Sequence, residues 1–257
     1  MTQMTDLAGK TGLILGIANA DSIAYGCAKA FRAAGADLAV TYLNAKAEPH
    51  VRPLAEALDS PLILPCDVTD DAQLQAVFDG IRARWGRLDF VLHSIAFAPK
   101  DDLHGRLVDT SRPGFLKAMD ISCHSFIRCA RLAEPLMDRG GALMTVTFYG
   151  SARVVDGYSV MGPVKAALEA SVRYLADDLA PRRIRVHAIS PGPIRTRAAS
   201  GIRAFDRLIE DSVADTPDHR LVTIDEVGDL AAFLASPAAR GMTGTTEYVD
   251  AGLHLTD

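Results

Sequence analysis

Short apolar runs alternate with longer helical stretches along most of the chain, and this alternation restricts the fold more than any other feature. TGLILG, DLAVTYL, PLILPCDV, RLDFVLHSIAF, GALMTVTFYG and RIRVHAIS read as strands. None shows the clean polar alternation of a half-exposed strand, so each fits a strand covered on both faces. Between them SIAYGCAKAFRAAG, a stretch reaching Leu58, DAQLQAVFDGIRARWG, GFLKAMDISCHSFIRCARLAEPLM and YSVMGPVKAALEASVRYLADDLA read as helices. Such strand–helix–strand units build an α/β fold, a doubly wound, Rossmann-like parallel sheet with right-handed crossovers. Gly35 closes the first helix and opens the second strand, as a C-terminal glycine does. With no internal repeat, low-complexity tract or linker, residues 1–257 are expected to form a single domain with a sizeable core.

Composition narrows the function classes. A net charge of −5 gives no general reason to expect nucleic acid or an anionic membrane as a partner. The four cysteines, Cys27, Cys66, Cys123 and Cys129, show neither CxxC nor a framework spacing, and no metal-ligand pattern stands out. The start MTQMTDLAGK lacks the apolar stretch of a signal peptide. No apolar run approaches the roughly 20 residues that span a bilayer. A soluble protein of the reducing cytoplasm is the expectation.

The first glycine loop, TGLILGIANADSIAYG, carries the first chemistry. Gly16 stands where strand one should end, and Ser22 opens the next helix as its N-cap. A helix N-terminus at that place offers backbone N–H groups and a partial positive charge to a pyrophosphate. Gly16 would let the turn approach the phosphates, and Gly26 would let the helix pack on the sheet. The loop is not GxGxxG, and taken alone an ordinary βα turn fits as well. An acidic residue about twenty positions further on would grip a ribose, and a basic one would welcome a 2′-phosphate. The chain has Tyr42, Leu43 and Asn44 there, which leans towards NADH, while Lys46 slightly beyond leaves NADPH open. Asp67 and Val68 follow strand three where an adenine would sit, although Asp67 could equally be the N-cap of the next helix.

In the order GIANADSIAYG, CDV, HSIAFAP, YSVMGPVKAALEASVRYLA and ISPGPIRTRAASGI, the chain resembles the NADH-dependent enoyl-acyl-carrier-protein reductases, a divergent branch of the short-chain dehydrogenase/reductases. The resemblance runs from residue 7 to residue 252, and the TGxxxGxG loop, NNAG and YxxxK of ordinary members are absent. It implies cofactor-binding roles for Gly16, Ser22, Ile23, Leu43, Asp67, Val68 and Ile95, and for the stretch Ile194, Arg195, Thr196, Arg197 and Ala198. It implies that Tyr158 hydrogen-bonds the substrate's thioester carbonyl, that Lys165 holds the nicotinamide ribose, and that Ala98 touches substrate. A homotetramer, an acyl-carrier-protein partner and a mobile substrate lid around 195–215 follow from the same resemblance. Two positions depart from the family pattern: Phe148, followed by Tyr149, stands where a second tyrosine is usual, and Ala251 replaces a glycine of the terminal VDGG.

Tyr158 and Lys165 are seven positions apart, and Gly162 occupies the one-turn position. On one helix, residues seven apart lie about 10.5 Å apart along the axis on nearly one face, against about 6 Å for four. Reducing an enoyl thioester puts hydride on C3 while charge develops on an oxygen three bonds away. With Lys165 on the ribose, a hydroxyl carried further along the helix would meet that oxygen. Tyr158 is then expected to stabilise the enolate, with the charge of Lys165 favouring the tyrosinate.

Other signals are weaker. His93 reads as a packed, hydrogen-bonded histidine, Met161 as channel lining or core filling, and Asp120 to Ser122 as non-catalytic. Arg195, Arg197, Arg203 and Arg207 cluster within the lid region, either as a solvated face or as a landing site for an acidic carrier protein. The leading expectation is an NADH-dependent enoyl-thioester reductase of fatty-acid biosynthesis. Behind it stand a specialised lipid or polyketide enoyl reductase, a carbonyl reductase, and a dinucleotide sensor without turnover.

Overall fold

The computed structural model describes residues 5–196 and 205–256, without the side chains of 205–208. Its centre is a seven-stranded, all-parallel sheet of order β3-β2-β1-β4-β5-β6-β7. The strands are β1 (Thr11–Leu15), β2 (Asp37–Tyr42), β3 (Leu62–Pro65), β4 (Phe90–His93), β5 (Gly141–Val146), β6 (Ile184–Pro191) and β7 (Thr245–Val249). The six strands expected from the sequence are all present.

Helices cover both faces. On one side α1 (Ile23–Ala33), α2 (Glu48–Ala57) and α9 (Ile224–Ala235) bury Phe31, Val51, Ala55 and Ala231 against Ile14, Val40, Leu92 and Ile189. On the other, α3 (Asp71–Trp85), α5 (Arg112–Met119), α6 (Ser125–Ala133) and α7 (Met161–Leu179) bury Phe78, Ala118, Phe126 and Leu168 against Leu13, Val91, Leu143 and Ala188. Consecutive strand residues feed opposite layers, which is why these strands carry apolar residues on both faces. The remaining helices are α4 (Lys100–His104), α8 (Phe205–Asp215) and α10 (Leu253–Thr256).

The chain builds β1 to β3 outwards, crosses back to β4, and then runs outwards the other way. The order therefore reverses between β1 and β4, and the crevice outside the carboxyl ends of these strands is where such sheets receive a ligand.

Three local expectations change. Gly26 does not serve packing on the sheet: a Cβ there would overlap the Ile224 carbonyl of α9, and Gly228 faces Gly26 from that helix. The two glycines let α1 and α9 approach backbone to backbone. The stretch read as one helix from Gly114 to Met137 is interrupted by a π-helical turn at Asp120–His124. Asp67 is not the N-cap of α3. Asp70 is, accepting from the Ala72 and Gln73 amides, while Asp67 turns its own loop through Thr69.

Ala251 holds φ +55° in the turn after β7, in the left-handed region that disfavours a Cβ. Left-handed backbone costs an alanine about 1–2 kcal/mol, and glycine's extra chain entropy offsets about 0.5–1 kcal/mol. Ala251→Gly is therefore expected to stabilise by up to about 1 kcal/mol, raising the melting temperature by about 2–4 °C. A clear fall in melting temperature would show that the turn is not strained.

Candidate active site

The glycine loop is closed by Ser22. Its hydroxyl accepts from the Ala18 and Asn19 amides at 3.0 and 3.1 Å and donates to Asn19 Oδ1. Ser22 stands at the N-cap position of α1, as expected, but its side chain braces the loop instead of capping the first turn. The first turn of α1 has no side-chain cap and no acidic residue, so its N-terminus is left to an anion from outside. Gly16, at φ +110°, is held against β4, where a Cβ would overlap the Ser94 carbonyl oxygen. Chain packing alone therefore already demands a glycine at this turn.

Because every strand is parallel, the expected cofactor contacts fall along one edge of the sheet. Leu43 is exposed just past β2, half-buried Asp67 and buried Val68 follow β3, and half-buried Ile95 and Ala98 follow β4. Half-buried Ile194, exposed Arg195 and half-buried Thr196 follow β6. Arg197 and Ala198 lie outside the described residues, as do Arg203 and the Arg207 side chain. A helix N-terminus with no side-chain cap and no acidic residue in its first turn fits a dinucleotide pyrophosphate.

The loop after β4 is fastened by Ser122, buried in the π-helical turn. Its hydroxyl accepts from the Phe97 amide at 2.8 Å and donates to the Phe97 carbonyl at 3.0 Å. Ser122 thus tethers this loop to the π-helical turn. His93 is buried, with Nε2 2.7 Å from Ser125 Oγ and Nδ1 3.2 Å from Thr145 Oγ1. Ser125 gives its own proton to Ile121 O, so Nε2 is the donor in that pair. Burial, aided by the Lys165 charge, pushes the imidazole down to about 3. His93 is a neutral packed residue, as read.

The end of β5 gathers the reactive groups. The chain leaves β5 at Val146, stays extended through Phe148, and bends into a short helical turn over Tyr149–Ser151. Phe148 stacks edgewise on Tyr149 with centroids 4.6 Å apart and lies 5.0 Å from the Tyr158 ring. A Cβ on Gly150 would come within 2.7 Å of that ring, so the glycine is the floor on which Tyr158 rests. Met161 is buried beside them at the start of α7.

Tyr158 is not on α7, which corrects the two-turn geometry drawn from the seven-residue spacing. The helix begins at Met161, and Tyr158 sits in the preceding turn, its carbonyl accepting from the Met161 amide at 3.0 Å. Ser159 takes φ +37°, a conformation a serine rarely adopts, and this kink aims the phenol. Lys165 does lie on α7. It is 4% exposed, and its ammonium donates to Val146 O at 2.7 Å. Tyr158 is 7% exposed, and burial first, with the Glu169 charge second, drives its pKa well above the ordinary phenol. In the free protein burial thus works against the tyrosinate expected from the Lys165 charge, and the phenol is held protonated with a hydrogen to donate.

The reading of the sequence missed Glu169, which stands one turn beyond Lys165 and accepts from Thr147 Oγ1 at 2.6 Å. The i, i+4 spacing of Lys165 and Glu169 was the available signal.

Comparison with known proteins places nearly the whole chain in one family. The family profile described as Enoyl-(Acyl carrier protein) reductase matches residues 16–254. The chain is 49% identical over 248 residues to the Enoyl-[acyl-carrier-protein] reductase [NADH] 2 of Rhizobium meliloti, covering 96% of this chain and 92% of that protein. It is 47% identical over 250 residues to the corresponding Aquifex aeolicus enzyme, covering 97% and 93%. Among solved structures, the Anaplasma phagocytophilum reductase in complex with NAD superimposes with a TM-score of 0.93 at 48% identity, covering 97% and 95%. The Bacillus cereus enzyme, with NADP+ and indole naphthyridinone, gives 0.95 at 47%, covering 98% and 99%.

Proposed function

The chain belongs to the enoyl-(acyl carrier protein) reductase family, and from that premise we propose that the Tyr158–Lys165 site reduces the C2–C3 double bond of a trans-2-enoyl thioester in fatty-acid biosynthesis. The observation that carries this reading is a buried, protonated phenol and a buried ammonium gathered at the end of one strand, beside the point where strand order reverses. Bound along that edge, NADH supplies the hydride to C3. Tyr158 donates its hydrogen bond to the thioester oxygen as negative charge builds there, and C2 then takes a proton. Lys165 holds the nicotinamide ribose, and Val146 O fixes the direction of its side chain. Ala98, Phe148, Tyr149 and Met161 wall the acyl pocket, and their apolar surfaces keep water from the reacting carbon. The dinucleotide lies against Gly16, Ser22, Ile23, Leu43, Asp67, Val68, Ile95 and the stretch from Ile194 to Ala198.

Loss of NADH absorbance with crotonyl or 2-dodecenoyl thioester, set beside an acetoacetyl thioester, tests the reaction. Turnover of the enoyl substrates alone is expected; reduction of the acetoacetyl thioester alone would make the protein a ketone reductase. The specificity constant is expected to be higher with NADH than with NADPH, because Tyr42, Leu43 and Asn44 offer no cation to a 2′-phosphate. The reverse preference would assign Lys46, exposed just beyond, to that phosphate.

The third expectation concerns the missing tyrosine. The bend after Phe148 brings Tyr149 beside it, so the neighbouring ring is a candidate stand-in for the hydroxyl that Phe148 lacks. Tyr149→Phe and Phe148→Tyr are each compared with the parent on one enoyl thioester. A loss worth about 0.5–1.5 kcal/mol from the first would mean Tyr149 carries that hydrogen bond. An equal gain from the second, with no loss from the first, would leave the pocket wall as apolar packing alone.

The thioester arrives on an acyl-carrier protein, and the arginine-bearing stretch from Arg195 to Arg207, within a substrate lid around 195–215, is its landing site. Phe115 and Leu116 on α5 and Tyr174 on α7, the last 76% exposed, support assembly into a homotetramer through those helices. The protein works in the cytoplasm; no helix among the described residues is long and apolar enough to cross a membrane.

A further inference from the structure

Glu169 is half-buried between α7 and the carboxyl end of β5, close enough to Tyr158 for its charge to raise that phenol's pKa. Two rungs join α7 to adjacent residues at the end of β5. Lys165 Nζ donates to Val146 O at 2.7 Å, and Thr147 Oγ1 donates to Glu169 Oε1 at 2.6 Å. Thr147 is buried and tied to β6 by its amide, which donates to Ile189 O at 2.8 Å. Ser190 is buried on the next strand, paired in register with Tyr248. Ala188 and Val186 pack with α7 whereas Ile189 packs in the opposite layer, so alternation puts Ser190 on the face that α7 covers. In this layer the Glu169 carboxylate accepts from Thr147, and its charge reaches Tyr248 on β7.

The groups facing Lys165 decide what Glu169 does. His93 on β4 is neutral, pushed down to about 3. The Cys123 thiol in the π-helical turn is pushed up by burial, and the Tyr158 and Tyr248 phenols are raised by burial and by Glu169. Each of these is uncharged near neutral pH. Glu169 is the one anion among them, and its field acts on Lys165 in the direction that keeps the ammonium charged, against the larger effect of burial.

We propose that Glu169 is a positioning residue for the reduction: clamped by Thr147 one turn beyond Lys165, it docks α7 on the end of β5 and supplies the counter-charge that keeps an ammonium directed at the nicotinamide ribose. The inference rests on the reading of Lys165 as the ribose-binding group.

Glu169→Gln keeps an oxygen for Thr147 and removes only the charge. NADH affinity is measured by fluorescence titration across pH in the parent, Glu169→Gln, Thr147→Val and Thr147→Ser, with a thermal melt of each. Affinity that needs the ammonium is present below the Lys165 pKa, near 8, and is lost as pH rises through it. Without the counter-charge that loss should begin at lower pH, with affinity at pH 6 unchanged. Thr147→Val, which frees the carboxylate, should shift the profile in the same direction, and Thr147→Ser should restore it. A Glu169→Gln profile that overlays the parent would overturn the inference. If that variant does not fold, matching profiles for Thr147→Val and the parent would do so instead. Lys165→Met separates the two levels. If it binds NADH as tightly as the parent, the ribose reading fails and the inference with it. If it weakens binding while the Glu169→Gln profile stays put, only the role of Glu169 fails.

Discussion

Tyr158→Phe is expected to lower kcat on an enoyl thioester by about 100- to 1000-fold, the usual cost of removing one donor aimed at a developing oxyanion. NADH affinity should stay within about twofold, because a group used only in the transition state adds nothing to cofactor binding. The geometry makes this substitution unusually clean. The ring lies on Gly150 and against Phe148, and phenylalanine reproduces both contacts while removing one oxygen. The phenol is buried and its pKa is raised, so it enters the reaction as a donor rather than as a base. Steady-state kinetics with an independent NADH titration checks the split. If kcat and NADH affinity fell together, the hydroxyl would be serving the cofactor; if neither moved, the donor would lie elsewhere.

The sequence made the sheet legible because both-face burial writes itself as largely apolar strands, and that holds for β1, β2, β4, β5 and β6; β3, a partly buried edge strand, was legible from its LIL run. β7 escaped because it is a partly exposed edge strand, TTEYV, whose threonines and glutamate dilute the apolar signal. α9 also escaped, although Thr223 and Glu226 form a capping box legible as T-x-x-E. Single residues fared unevenly for a physical reason. The need for glycine at 16 and 26 was visible, but what presses on them was not, since Ser94 and Ile224 are distant in sequence. Spacing identified Tyr158 and Lys165 as a pair but placed both on one helix. A helix start shifts by a few residues at no cost to the apolar pattern, and the kink at Ser159 leaves no mark in composition. The direction of the Tyr158 pKa depended on burial and on Glu169, neither of which a list of motifs contains.

Lys165→Met should separate binding from stability. A charge-assisted hydrogen bond contributes about 1.5–3 kcal/mol, so losing the ammonium should weaken NADH binding by about 10- to 150-fold. Stability should not follow. Burial lowers the lysine pKa from 10.5 to about 8, so the folded chain disfavours the charged form. For a folded pKa below the unfolded one, the penalty is fully present below pH 8 and fades as pH rises towards 10.5. Its size at pH 7 is about 3 kcal/mol in the cofactor-free protein. Methionine fills a similar volume without that charge, and what remains is a Val146 carbonyl short of its donor, at about 1–3 kcal/mol. The two effects nearly cancel at pH 7, leaving the variant as stable as the parent or up to about 2 kcal/mol more stable. At pH 10 the parent recovers most of its penalty and the balance tips towards the lysine by about 2–3 kcal/mol. Denaturant unfolding of both proteins at pH 7 and pH 10, read as a difference so that other titrating groups cancel, measures that swing. A variant that binds NADH normally would remove Lys165 from the site. A stability difference that does not change between the two pH values would mean that its ammonium is solvated in the free protein.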